Sequence, residues 1–324
     1  MRKYSAILGN LGNTKDRFCN GYKDNPSTLE MLKLAGSIDG ISGIELVGTW
    51  DIRPDNVTAM KKAIADLGFE CVSIIPDLFA DKIWRSGSIS SKDRKIRNKA
   101  IDYLRVMCGI AEAMHCKIIN LWPGQDGYDY LFQGNYLKER AWLTDSIALL
   151  AGEFPHLQFA LEYKVKEPRT HSYLARMADT LLTCLQTGKD NVGVTIDTGH
   201  AFMGGENVAE SIVLAKQAGN KLFHMHFNDN YKSWDDDMIA GSIHSIEYIE
   251  MLYWLDECGY DGWLSMDQYP YREDAVGAIS ESIKWLKAFD EILMKNKKAI
   301  KAAIASGNAV ETSALMRKIM LTDR

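Results

Sequence analysis

Three observations predict that this 324-residue chain is an α/β protein, folded as a single closed (β/α)8 TIM barrel with an appended C-terminal helical tail. Eight short apolar, β-rich runs recur along it, each followed by a longer stretch with helical spacing, the alternation that parallel βα units produce. The eight units take up about 290 residues, a length that one large barrel routinely uses. Nothing like GxGxxG follows the first run, so an open dinucleotide-binding sheet has no support where its fingerprint belongs.

In chain order the runs are YSAILGN (4–10), GIELVG (43–48), CVSIIPD (71–77), CKIINLWPG (116–124), QFALEYK (158–164), VGVTIDTGH (192–200), KLFHMHFND (221–229) and GWLSMDQ (262–268). Helical patterns lie between them, among them STLEMLKLAGSI, DNVTAMKKAIADLG and SIHSIEYIEMLYWLDECG. The second of these opens after Pro54 with Asp55 available as a cap and closes at Gly68, as a helix end should. The barrel is assigned to residues 1–295 as the catalytic domain. The tail is assigned to residues 296–324, where Ser306-Gly307-Asn308 divides it into two helices.

Bulk chemistry narrows the function. The chain is 46% hydrophobic and 25% charged with a net charge of −5, ordinary globular values that suit a soluble enzyme. An acidic balance disfavours nucleic acid as a partner, because phosphate binding needs a basic footprint. No stretch of about 18 apolar residues exists to span a membrane. The opening MRKYSAILGNLGN has no long apolar core and is not read as a leader. Six cysteines, at 19, 71, 108, 116, 184 and 258, form no CxxC. Reduced thiols and a cytoplasmic location are expected.

In such a barrel the chemistry lies at the carboxyl ends of the strands. The fifth run ends with Glu162 and Lys164, two apart and therefore on one face. The sixth ends with Asp197, and His200 follows in DTGH. The seventh carries His224 and His226 on one face. The eighth ends with Asp267. Nine residues after His226 come Asp235, Asp236 and Asp237. A carboxylate in a buried parallel strand is costly unless it is paired or metal-bound. Four neighbouring strands with Glu, Asp or His at one level point to a metal or catalytic site. Carboxylates and imidazoles without cysteine suit Mn²⁺ first, then Co²⁺, Mg²⁺ or Zn²⁺. Glu162 can bridge two ions, and Asp235 and Asp237 can reach a second one beside His200, with Asp236 turned away. One or two ions per chain are expected.

Other residues read less sharply. His224, deeper in its strand than His226, reads as a core histidine. Glu45 is either half of a core ion pair or a support for the site. Trp50, Trp84, Trp122 and Trp234 follow or end β-runs and are either pocket walls or core. His115, His156, His171 and His244 are expected on the surface or at helix ends.

LEYK, TIDTGH, HMHFNDNYKSWDDDMIAGSI and SMDQ, in this order and at these strand positions, resemble the xylose isomerase-like TIM-barrel superfamily of sugar isomerases and epimerases. The pattern is most similar to the bacterial L-rhamnose isomerase type. The resemblance runs from about residue 40 to 285 and is strongest from 158 to 270. It implies a first ion held by Glu162, Asp197, His226 and Asp267, and a second held by Glu162, His200, Asp235 and Asp237. It implies that Lys164 bonds a substrate oxygen, that Trp122 lines the sugar pocket, and that the protein is a dimer or tetramer. The pattern departs after the third strand. There PDLFADKIWRSGSIS carries Asp77, Phe79, Asp81 and Trp84 where rhamnose isomerases place a histidine.

The activity expected is interconversion of an unphosphorylated aldose and ketose by a metal-assisted hydride shift. Lys164 would stabilise charge on oxygen, and Asp235 or Asp267 would orient the proton transfer. Trp50, Trp84, Trp122, Lys164 and His200 are the candidate sugar contacts. The alternative is a ketose 3-epimerase with one ion and two carboxylates that trade a proton. That group usually has Glu on strand eight, where this chain has Asp267. A DNA-repair endonuclease on the same barrel needs three zinc ions and more histidines than the seven present. A barrel that binds sugar without catalysis would be expected to have lost ligands, and every expected ligand is in place.

Overall fold

The structure, a computed structural model, describes residues 2–16 and 18–321, so the last three residues of the expected tail fall outside the described residues. In chain order the strands are β1 (Lys3–Ile7), β2 (Ile41–Val47), β3 (Glu70–Ile75), β4 (Ile118–Leu121), β5 (Gly127–Tyr128), β6 (Gln158–Glu162), β7 (His171–Ser172), β8 (Val192–Asp197), β9 (Leu222–Phe227) and β10 (Trp263–Met266). Eight of them close a barrel in the order β1-β2-β3-β4-β6-β8-β9-β10, with β10 back on β1. Every neighbouring pair in it is parallel. The short β5 and β7 pair antiparallel outside the barrel. All eight predicted runs therefore contain barrel strands. The first stops sooner than its apolar character suggests, because Leu8–Leu11 turns into a 3₁₀ helix.

The helices are α1 (Thr28–Ala35), α2 (Val57–Asp66), α3 (Arg94–Ala113), α4 (Tyr136–Glu153), α5 (Met177–Gln186), α6 (Thr198–Met203), α7 (Val208–Gln217), α8 (Ser245–Cys258), α9 (Ala275–Ser306) and α10 (Ala309–Leu321). Local chemistry sets their ends. Ser27 and Glu30 form a reciprocal capping box on α1, which satisfies two otherwise orphaned N–H groups. Asp55 does not cap α2. Asn56 stands at that position, and its side chain is spent on the loop: Oδ1 accepts from Arg53 N and Nδ2 donates to Asp51 O. The tail divides where expected, since α9 ends at Ser306 and Gly307 follows in the left-handed region at φ +62°. α9 is nevertheless one unbroken helix through residues 295 and 296. No described helix is long and apolar enough to cross a membrane.

The apolar core lies mainly between barrel and helices. Ile44, Leu46, Ile74, Ile119, Val194 and Ile196 are fully buried in it, and truncating one of them to Ala should cost about 2–5 kcal/mol. The barrel interior is polar by contrast. Ser5, Glu45, Ser73, His224 and Ser265 point inward, fully buried, and bond to one another. Burial of such groups is tolerable because each side chain has a bonding partner, although His224 Nδ1 is left without one.

Candidate active site

The carboxyl ends of the strands open into a cavity of about 290 Å³, near the low end of small-molecule sites. Glu162 ends β6, Asp197 ends β8, His226 lies on β9, and Asp267 follows β10. One potential ligand atom from each lies within 4.8 Å of all the others. His226 Nδ1 is 3.1 Å from Asp267 Oδ2 and 3.4 Å from Glu162 Oε2. Three amides hold the carboxylates in place. Asn120 donates to Glu162 Oε2 (2.6 Å), Asn228 to Asp197 Oδ2 (2.8 Å) and Asn10 to Asp267 Oδ1 (3.3 Å).

A second group adjoins the first. Asp197 is also the N-cap of α6, where its Oδ1 accepts from His200 N, so His200 is delivered from the first turn of that helix. Asp197, His200 and Asp235 again offer ligand atoms within 4.8 Å of one another. His200 Nε2 is 3.0 Å from Asp235 Oδ2, and its Nδ1 is 3.3 Å from Glu162 Oε1. Lys164 Nζ bridges Asp235 (2.8 Å) and Glu167 (2.7 Å) and lies over the Trp122 ring. Asp236 turns away, as the loop pattern predicts, and accepts from Tyr231 N. Asp237 lines the cavity but belongs to neither group of ligand atoms.

The electrostatics are those of crowded carboxylates. Burial raises Asp197 to about 7; His200 works against this and the neighbouring carboxylates add to it. Burial, then the charge of Asp235, drives Asp237 well above the carboxylate range. Glu162 goes the other way, to about 2, because His226 and His200 outweigh its burial. His200 rises to about 9, its burial outweighed by Asp197 and Asp235. Five buried atoms in this cluster have no hydrogen-bond partner: His200 Nδ1, His226 Nδ1, Asp235 Oδ1 and the Oδ1 atoms of Asn10 and Asn228. Buried polar atoms rarely go unpaired. Orphaned imidazole nitrogens facing carboxylate oxygens, with no thiolate among them, are a donor set for a hard or borderline divalent cation. The residues present fit such an ion at either group.

The opposite wall is apolar: Ile7, Val47 and Ile75 at the ends of β1, β2 and β3, with Phe79 packed on them. Trp122 lies 4.7 Å from Phe79, ring centre to ring centre, and Trp50 lies 5.8 Å from it; both line the cavity. Trp84 does not. It is 5% exposed and packs on Tyr103 in the outer core, because Lys82–Trp84 forms a 3₁₀ turn that carries the ring away from the barrel mouth. Trp234 is also outside the cavity lining, beside Lys166. His171 lies on β7 rather than at a helix end, stacked on Tyr128. His224 is in the core, bonded to Glu45. Sequence reasoning missed Glu167, Tyr269 and Tyr271, which complete the rim. Asn120 was detectable as a lone polar residue inside the apolar run IINLW.

Known proteins share this architecture. The solved structure of an L-ribulose 3-epimerase superposes with a TM-score of 0.71 at 16% identity, covering 93% of this chain and 98% of that one. A D-tagatose 3-epimerase-like protein gives 0.67 at 20% identity, covering 90% and 99%. At these identities the likeness is one of fold. In sequence, the xylose isomerase of Thermus thermophilus is 27% identical over 233 residues, 69% of this chain. The chain spans 60% of the length of that relative and of its Thermus caldophilus counterpart. The family model described as xylose isomerase-like TIM barrel matches residues 32–289, and the chain belongs to that family.

Proposed function

We propose that the protein is a divalent-metal-dependent aldose–ketose isomerase acting on an unphosphorylated sugar. The observation that carries this reading is the second ligand group, Asp197, His200 and Asp235, set against the first with Glu162 in reach of both. Bound divalent ions would supply Lewis acidity to a carbonyl and its adjacent hydroxyl. Glu162, Asp197, His226 and Asp267 would hold the first ion, and His200 and Asp235, with Asp237 beside them, the second. Lys164 Nζ, fixed by Asp235 and Glu167, would donate to the substrate oxygen on which negative charge develops. Asp235 and Asp267 would orient and accept the hydroxyl proton. Trp122, Tyr269 and Tyr271 would exclude water, and the sugar's far end would rest against Phe79 and the β1–β3 wall. Among the described residues Lys164 is the one lysine or arginine that lines the cavity, and it is already paired, which supports an unphosphorylated sugar. The exposed Ile304, Val310 and Leu321 of the tail support a homo-oligomer, a dimer or tetramer.

The test counts bound divalent metal per chain after dialysis against Mn²⁺, in wild type and in a double variant, Asp235→Ala with Asp237→Ala. Two ions falling to one is the expected result. One ion in both proteins would shift the reading to a ketose 3-epimerase. A specific observation favours that second reading: Glu162 and Asp267 both flank His226 in the first group, a pair able to trade a proton. Turnover of a panel of aldoses and ketoses in deuterated water then separates the two. The isomerase product carries no solvent deuterium at C1 and C2.

A further inference from the structure

Beneath the two ligand groups, inside the barrel, Glu45 is fully buried. Both of its oxygens are used. Oε1 accepts from His224 Nε2 (2.9 Å) and from Ser265 Oγ. Oε2 accepts from His226 Nε2 (3.3 Å) and from Ser73 Oγ. Glu45, His224 and His226 lie close enough to share an ion. Yet both imidazoles turn Nε2 to the carboxylate, and two hydroxyls fill its remaining lone pairs. The network does something else. A neutral imidazole that donates from Nε2 has its lone pair on Nδ1. In His226, Nδ1 is the orphaned atom that faces Asp267 and Glu162.

We infer that Glu45 is a positioning residue: by holding the proton on His226 Nε2 it presents Nδ1 as the ligand atom to the Glu162–Asp197–His226–Asp267 group. His224 is a lateral brace, sharing the carboxylate and standing edge-on to His226 at 5.0 Å. That the ring is neutral and its Nδ1 meets a metal rests on the proposed function; that Glu45 holds the Nε2 proton and so turns Nδ1 to the carboxylates does not. Partners of this kind behind a ligating histidine typically contribute about 10- to 100-fold in metal affinity.

The experiment titrates metal-free protein with Mn²⁺ by calorimetry, in wild type, Glu45→Leu and His224→Gln. Beside it, ¹H–¹⁵N spectra are recorded on histidine-labelled, metal-free protein. In Glu45→Leu, affinity at one of two sites should fall by about 10- to 100-fold. The site built on His200 and Asp235 should keep its affinity and so report an intact fold. His224→Gln leaves the Glu45–His226 bond in place and should hold both affinities. Equal losses in the two variants would mean that the network merely packs the core, and would overturn the inference. Wild-type affinity in Glu45→Leu would overturn it too. Should Glu45→Leu not fold, Glu45→Gln leaves one acceptor oxygen for two imidazoles; a smaller loss at the same site is then expected, and no loss is disproof. A wild type that binds no Mn²⁺ would sink the isomerase reading alone. The spectra then decide the role of Glu45: the His226 Nε2 proton, protected in wild type, must lose that protection in Glu45→Leu, and its persistence refutes the assignment.

Discussion

At the ends of β1, β2 and β3 the cavity meets Ile7, Val47 and Ile75, whereas across it β6, β9 and β10 present Glu162, His226 and Asp267, with Asp197 of β8 behind them. Both walls occupy the same level of the same barrel. The apolar wall is complete in itself, since its side chains pack on one another and on Phe79. The polar wall is not: its carboxylates crowd together, and His200, His226 and Asp235 each keep a buried atom without a partner. A wall that is satisfied by packing can only shape a ligand. A wall left unsatisfied is arranged for something that brings charge, which is why the proposed chemistry is placed on that side.

Variants can break this division or sharpen it. Glu162→Gln should have the largest effect, because Glu162 faces the free nitrogens of both His200 and His226. Turnover should drop by about 10³-fold, and bound metal should fall with it. Next comes Lys164→Met. Loss of this ammonium at the reacting end should lower kcat by about 10²-fold and leave KM much less affected. Phe79→Ala probes the other wall. It should raise KM by about 10-fold, equivalent to about 1.4 kcal/mol of uniform binding, with kcat nearly unchanged. If Phe79→Ala cut kcat as deeply as Lys164→Met, the two walls would not be separate in function.

The smallest effect lies behind the apolar wall. Asp51 is buried, and its Oδ2 accepts from Val47 N at 2.9 Å. Burial pushes it up to about 7, against the pull of that bond. Its folded value is thus above its unfolded one, and the folded state binds the extra proton between roughly pH 4 and 7. Stability should fall as pH rises through that window. Asp51→Asn should flatten the slope and melt a few degrees above wild type at pH 8; parallel pH–Tm curves for the two proteins would refute the assignment.

How much of this was legible in the sequence depends on what each residue reports. The strands were legible because buried parallel strands are near-continuous apolar runs. Glu162, Asp197, His226 and Asp267 were legible because a charge at the end of such a run is expensive and therefore conspicuous. Asp235 was legible through its spacing from His226. The rim was not: whether Glu167, Tyr269 and Tyr271 face the cavity depends on loop paths that no periodicity encodes. Trp84 failed for the same reason in reverse. An aromatic ring after a strand can turn either way, and a short 3₁₀ turn sent this one outward. The role of Glu45 needed two strands brought face to face, since its partners lie 179 and 181 residues away.

The unbroken α9 has a mechanical consequence. Its 32 residues make a rod of about 48 Å at 1.5 Å per residue. Near its start Ser282 donates to Gln268, next to Asp267, and accepts from Ala240, a few residues past Asp237. Leu293 and Ile300, either side of the barrel–tail division, are both buried. The rod is therefore tied near its start to the two loops that carry acidic side chains of the cavity, is packed into the core on both sides of residue 296, and breaks first at Gly307. Severing the chain at residue 296 would cut the rod inside its buried length, between Leu293 and Ile300.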